Sequence, residues 1–187
     1  MNRKAAAFIL GLALALIAGG AFWWWWQGKG NHVRLGPEPA ESAGPTEKVS
    51  VELYFPADEG LRTEKRDLDV TASRKDRIRK IVAALLAGPV SSGAARPFPE
   101  GVMLGGVQLG EDGTAYLDIR WEGHADPPAS GSTEEMQRVY SVVDSLTANI
   151  PEVKQVVLLW NGVQRETFSG HLDTSRPLLP NRTLVTP

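Results

Sequence analysis

Few residues in this chain could do chemistry. Its 187 residues include three histidines, His32, His124 and His171, and no cysteine. His124 stands two residues before Asp126, and His171 two before Asp173. A carboxylate at that distance can orient an imidazole or share a metal ion with it. Neither pair follows a zinc-ligand spacing, and polar loops carry His and Asp without any catalytic reason. The absence of Cys excludes a disulfide framework, a thiolate metal site, a Cys nucleophile and acylation as a lipoprotein. No Gly-x-Ser-x-Gly elbow, Ser-x-x-Lys helix start or Gly-rich phosphate loop occurs. The residues therefore point to no enzyme, no cofactor, no metal and no small-molecule substrate.

A second feature is cationic. Arg74, Lys75, Arg77, Arg79 and Lys80 crowd one short stretch, and Arg74, Arg77 and Lys80 recur at i, i+3 and i+6. They form a candidate surface for lipid headgroups, an acidic partner or a polyanion. The plainer reading is the wet face of an amphipathic helix, since Ile78, Ile81 and Val82 take the opposite side. Nucleic acid is not an expected partner. The sequence pI is about 5.9, and the aromatic residues that interleave with cations in single-strand grooves are missing.

Stepwise hydrophobic periodicity places these residues on elements. Val49, Val51, Leu53 and Phe55 alternate as a strand, and Glu64 to Val70 could pair with it despite weak alternation. Ser73 and Asp76 form a capping box for a helix that Gly88-Pro89 stops. Val102 to Leu109 and Thr114 to Arg120 read as a hairpin around Gly110-Glu111-Asp112-Gly113, with Gly105-Gly106 marking a bulge or close backbone approach. A Pro-rich loop from His124 to Gly131 follows. Ser132 and Glu135 box a second helix with a stripe of Met136, Val139, Tyr140, Val143, Leu146 and Ile150. Val153 to Trp160 has the near-continuous apolar run of a strand buried on both faces. Asn161-Gly162 turns it into Val163 to Phe168. The order β-β-α-β-β-α-β-β predicts an α+β fold, two helices on one face of a mostly antiparallel sheet.

Ahead of this domain, Ala5 to Trp26 is an uncharged run of about 22 residues, where about 20 span a hydrocarbon core. Arg3 and Lys4 precede it, and Trp23 to Trp26 close it as an interfacial belt. The other reading is a cleaved signal peptide, with Ala18 to Ala21 offering small residues to a protease. Four Trp after such a cut would leave an odd mature terminus, so residues 1–26 are expected to stay as one transmembrane anchor. Residues 27–48 are rich in Gly, Pro, Glu, Ala and Ser and read as a flexible linker. Residues 49–187 form the domain. Arg3 and Lys4 tilt the positive-inside balance towards an extracytoplasmic domain, against Lys29 and Arg34 on the other side.

The wording of the domain resembles the GerMN domain family of sporulation and spore germination. The matching pieces include Val51 to Phe55, Ala84 to Pro89, Phe98 to Val102, Gly113 to Asp118, Gln137 to Val143, Val153 to Gly162 and Gly170 to Leu178. They cover most of residues 49–180. The resemblance implies a domain tethered outside the cytoplasmic membrane by a lipidated Cys or a transmembrane helix, and this chain has no Cys. It also implies the α-β-β-α-β core of ring-building modules, on Ser73–Gly88, Val102–Leu109, Thr114–Arg120, Ser132–Ile150 and Val153–Trp160. The family acts as scaffold, has no catalytic motif to carry over, and occurs also in bacteria that make no spores. The expected function is thus a membrane-anchored envelope scaffold, periplasmic, with a protein partner or self-association. The alternative is an envelope enzyme or ligand-binding protein using the His124/Asp126 or His171/Asp173 loops.

Overall fold

The computed structural model describes residues 44–186. The anchor Ala5 to Trp26 and most of the linker lie outside the described residues. Among the described residues no helix is long and apolar enough to cross a membrane.

The chain runs β1 (Thr46–Ala57), β2 (Gly60–Thr71), α1 (Arg74–Ala87), β3 (Val102–Leu109), β4 (Thr114–Trp121), α2 (Ser132–Asn149), β5 (Gln155–Trp160) and β6 (Val163–Gln164). A 3-10 turn, Arg182–Leu184, comes near the end. The α+β class stands, but the strands make two sheets where one was expected. β1 and β2 form a long antiparallel hairpin of their own, and β3-β4-β5-β6 form the second sheet. Within that sheet β4 and β5 run parallel. A parallel neighbour needs a crossover, and α2 is the crossover.

β2 is twice accounted for by its setting. It starts at Gly60, well before the expected Glu64, and pairs with β1 along its whole length. Its alternation is weak because Glu64 and Arg66 occupy the inner face as an ion pair. That pair reaches α1: Arg66 donates to Gly88 O at 2.7 Å and Ala84 O at 3.3 Å, while Glu64 accepts from the Val90 and Ser91 amides. The last carbonyls of α1 are thereby satisfied by a guanidinium. At the other end, the Ser73 hydroxyl accepts from Asp76 N, as the box predicts. Asp76 returns its bond to Thr71 N at 2.7 Å.

The β3–β4 hairpin forms as expected, with Gly113 at φ 86°. The register slips between Leu104 and Gly106, so Gly105 is a bulge. A Cβ at Gly105 would run into the Arg120 side chain, which crosses there to reach Asp118.

Two expectations fail. Ser132 is the first residue of α2, not its cap; Gly131 takes that position without any side-chain bond. Glu135 turns inward instead of closing a box. The strand expected over Val163 to Phe168 is just Val163–Gln164. Beyond it Phe168 folds into an aromatic cluster, edge-on to Trp160 at 5.8 Å and to Phe98 at 6.1 Å.

One core cluster joins Val51, Leu53 and Phe55 of β1 to Ile78, Ile81, Val82 and Leu85 of α1. The same cluster takes Val139, Val142, Val143 and Leu146 of α2, and Val156, Leu158 and Trp160 of β5. Val157 and Leu159 are buried as well, so β5 is covered on both faces. α2 also closes the free edge of β1. Asn149 accepts from Glu52 N at 2.9 Å and donates to Glu52 O at 2.7 Å, and Ser145 Oγ accepts from Tyr54 N at 2.9 Å. Helix side chains thus stand where a neighbouring strand would.

Candidate functional site

α2 carries more buried polar groups than any solvated helix could, and they define the region most capable of chemistry. Arg138 is 4% exposed. Its guanidinium donates to Pro97 O at 2.8 Å, Pro128 O at 2.9 Å, Ser130 Oγ at 3.1 Å and Glu134 Oε1 at 2.8 Å. A planar fork of five donors fits such a task, holding two Pro-rich loops against one helix. Beside it lies a cleft of about 430 Å³ between the tip of the β1–β2 hairpin, the loop around Arg96 and the first turns of α2. Asp58, Arg96, Glu134 and Gln137 supply its polar groups. Gln137 spends its amide on Ala57 O at 2.8 Å. Among the described residues, no histidine or hydroxyl nucleophile lines it.

On the neighbouring side of α2, Glu135 is fully buried. It accepts from the amides of Ser169, His171 and Leu172 at 2.7, 2.9 and 3.1 Å, and its Oε2 lies 2.9 Å from His171 Nδ1. Burial works to raise its pKa, yet the donors from Ser169, Leu172 and His171 outweigh that and hold it below the usual carboxylate value. The aspartate expected beside His171 does something else. Asp173 accepts from Ser175 N at 2.9 Å and Ser175 Oγ at 2.6 Å, closing a local turn.

His124 and Asp126 also part ways. The His124 ring stacks on Trp121, centroids 3.5 Å apart and planes 8° from parallel. Asp126 pairs with Arg165 at 2.8 Å. The four side chains of the two His/Asp loops are therefore engaged by four different neighbours. Among the described residues, no three His, Asp or Glu side chains are grouped to hold a metal.

The cations singled out on α1 are partly occupied. Arg74 pairs with Glu152 at 3.0 Å and Arg77 with Glu47 at 3.1 Å. Lys80 is exposed with no ion pair among the described residues. Arg74 and Lys80 are exposed and Arg77 is half-buried, while the same helix buries Ile78, Ile81, Val82 and Leu85.

Sequence reasoning missed Arg138, Glu135, Asp118 and Asp144, all of them buried. Asp118 accepts from Gly162 N at 2.7 Å and pairs with Arg120 at 2.6 Å, tying β4 to the β5–β6 turn. One signal was available. Ser141, Ser145 and Asn149 repeat every four residues beside the apolar stripe of α2, and a helix with small polar residues there is covered on more than one side.

The family model described as sporulation and spore germination, Germane, matches residues 52–166. The first GerMN domain of the sporulation protein GerM from Bacillus subtilis is 22% identical over 72% of this chain and 98% of its own, with a TM-score of 0.53. The tandem GerMN domains of the same protein give 19% identity over 80% of this chain and 51% of theirs, with a TM-score of 0.51. A candidate lipoprotein from Clostridium perfringens gives 19% identity, 76% and 93% coverage, and a TM-score of 0.50. No curated protein matches the chain. At these identities the structural likenesses speak for the fold, while the family model spans more than half of the sequence. The chain belongs to the Germane family, the GerM-like domains of sporulation and spore germination.

Proposed function

We propose that this protein is a membrane-anchored, extracytoplasmic scaffold of the bacterial envelope, working through surfaces and without catalysis. The observation that carries the reading is the use made of the buried polar groups. Glu135, Arg138 and Asp118 each hold a loop or turn in place, a structural use of buried charge that suits a rigid interaction domain. Ala5 to Trp26 would hold the domain at the cytoplasmic membrane as a single span, with residues 27–48 as tether. The likeness to a candidate lipoprotein supports an anchored, extracytoplasmic setting. The family description supports sporulation or germination as the process. The outer side of α1, with Arg74, Arg77 and Lys80, is the proposed contact with an acidic protein partner.

Protease added to spheroplasts tests the topology. Loss of the domain with the membrane intact is expected. Protection until the membrane is broken would overturn the orientation. Capture of a partner from solubilised membranes, reduced when Arg74, Arg77 and Lys80 are replaced, tests the scaffold role.

A further inference from the structure

The two edges of the β1–β2 hairpin are treated differently. α2 covers β1 by bonding Glu52 and Tyr54. Those residues face away from β2, and they sit opposite Lys65 and Thr63 in the register. Antiparallel geometry then turns the backbone groups of Thr63, Lys65, Asp67 and Asp69 towards the outer edge of β2. That edge is occupied at its two ends. Leu61 bridges Val185 and accepts from Thr186 N at 2.9 Å, and Thr71 N donates to Asp76. Between them, the outward groups of Thr63 to Asp69 have no partner among the described residues. The open stretch is centred on Arg66.

We propose that a second copy of this chain fills that edge, β2 against β2 in antiparallel register about Arg66, with Lys65 of each copy opposite Asp67 of the other. Charge selects both the occupant and the register. The Lys65 side chain is 75% exposed and reaches Glu52 only at 3.9 Å. Asp67 and Asp69 are exposed, with no ion pair or hydrogen bond to their side chains among the described residues. Centring the pair on Lys65 would set two lysines face to face, and centring it on Asp67 two aspartates. Like charges directly opposite destabilise a ladder, while opposite charges support it. Charges on an edge strand commonly repel other strands. Here their order repels copies centred on Lys65, Asp67 or Leu68, and the register about Arg66 is the one that pairs the whole open stretch from Thr63 to Asp69. The two Arg66 side chains would face each other on the opposite side of the ribbon. Each is already neutralised by Glu64 and turned to the end of α1. The result is a closed two-fold pair with a continuous β1-β2-β2-β1 sheet.

The pairing adds to the scaffold reading a second contact, separate from the α1 surface, and it rests on that reading for its role in the cell. A chain that stays single yet captures another envelope protein would end this proposal and leave the scaffold standing. The absence of native cysteine makes introduced thiols specific reporters. The full chain carrying Thr63→Cys with Asp69→Cys, oxidised in its own membrane, should give a covalent dimer. Thr63→Cys alone should not, because two copies of that position would lie roughly 20 Å apart at about 3.4 Å per residue. In the two-cysteine background Lys65→Asp should cut the dimer several-fold, and adding Asp67→Lys should restore it. All of these positions are on the outer edge, and circular dichroism would show whether each variant is folded. Equal cross-linking from Thr63→Cys alone, or a charge swap that fails to restore the dimer in a folded chain, would overturn the register and the proposal.

Discussion

Glu135 Oε2 lies 2.9 Å from His171 Nδ1, so a fully buried carboxylate near the start of α2 fixes a ring that is 47% exposed. In a hydrolase that pairing would orient a general base. Here the same carboxylate also gathers three backbone amides from residues 169–172, so the ring is one partner among four. Glu135→Ala leaves those amides without an acceptor and should cost ~3 kcal/mol, on the scale of hydrogen bonds to a charged group. His171→Ala should cost ~1 kcal/mol or less, since the amides keep their acceptor. Urea denaturation of the two variants checks the ordering, and a His171→Ala loss equal to that of Glu135→Ala would place the ring at the centre of the site.

Leu146 shares its cluster with Val143, Val156 and Leu158 and is fully buried. Truncating such a leucine costs about 2–5 kcal/mol, against total stabilities of about 5–15 kcal/mol for ordinary domains. Leu146→Ala should therefore lower the melting temperature steeply. An unchanged melting temperature would mean that α2 does not face the core along this stripe.

Val139, Val143, Leu146 and Ile150 of that stripe were legible from their spacing, as were most element positions, whereas Met136 and Tyr140 are half-buried and Val142 takes a core place the spacing did not assign. Ser73, Gly88 and Gly113 mark element ends where local chemistry dictates the chain's path, and Asn161-Gly162 turns with both φ positive. What local patterning could not carry was partnership at a distance. Nothing near Thr114 states that β4 pairs with β5 in parallel, because the pairing is decided by the α2 crossover. Nothing near Arg138 states that Pro97 O and Pro128 O converge on it from two loops. Glu135 misled for a related reason: its place in the first turn of a helix favours a cap, and the loop that claims it arrives after β6.

Glu64 gives the domain an acid-labile clasp. Burial works to raise its pKa, but the hydroxyl and amide of Ser91, Arg66 and the Val90 amide hold it down to about 2 from the ordinary 4.5. A depressed carboxylate stabilises the fold above its unfolded pKa and loses that contribution as the pH falls through the folded value. The window is thus about 4.5 down to about 2. Melting temperature measured across it should fall more steeply in the wild type than in Glu64→Gln, and the two curves should converge at the acid end. Parallel curves would show that the clasp carries no linkage.

Asp144 has the opposite sign. It is fully buried, Oδ1 accepts from Asn181 N at 2.9 Å, and Oδ2 has no partner among the described residues. Burial pushes its pKa up, with the Asn181 amide and Arg182 offsetting part of the rise. A raised carboxylate contributes stability fully below the unfolded value of about 3.9 and loses it as the pH rises through the folded value. Asp144→Asn keeps an acceptor for Asn181 and removes the buried charge, so it should raise the melting temperature at pH 7. The gain should vanish below about pH 3.9. A loss of stability at pH 7 would mean that the carboxylate is held by more than the Asn181 amide.

The α1 cations and the two histidines separate a scaffold from an enzyme most directly. Arg74 and Arg77 are tied to Glu152 and Glu47 at the surface, and exposed pairs of this kind are worth ~0–1 kcal/mol each. Replacing Arg74, Arg77 and Lys80 by Glu should leave the chain folded. Rim charges govern association rate and salt dependence more than they govern the fold, so capture of an acidic partner should fall and become less sensitive to salt. Replacing His124 and His171 by Ala removes a ring stacked on Trp121 and a ring held by Glu135, and the cellular phenotype should not change. If the folded double His variant lost function while the Glu variants kept it, the loops around His124 and His171 would be the site, and the chain would act as an enzyme or ligand-binding protein.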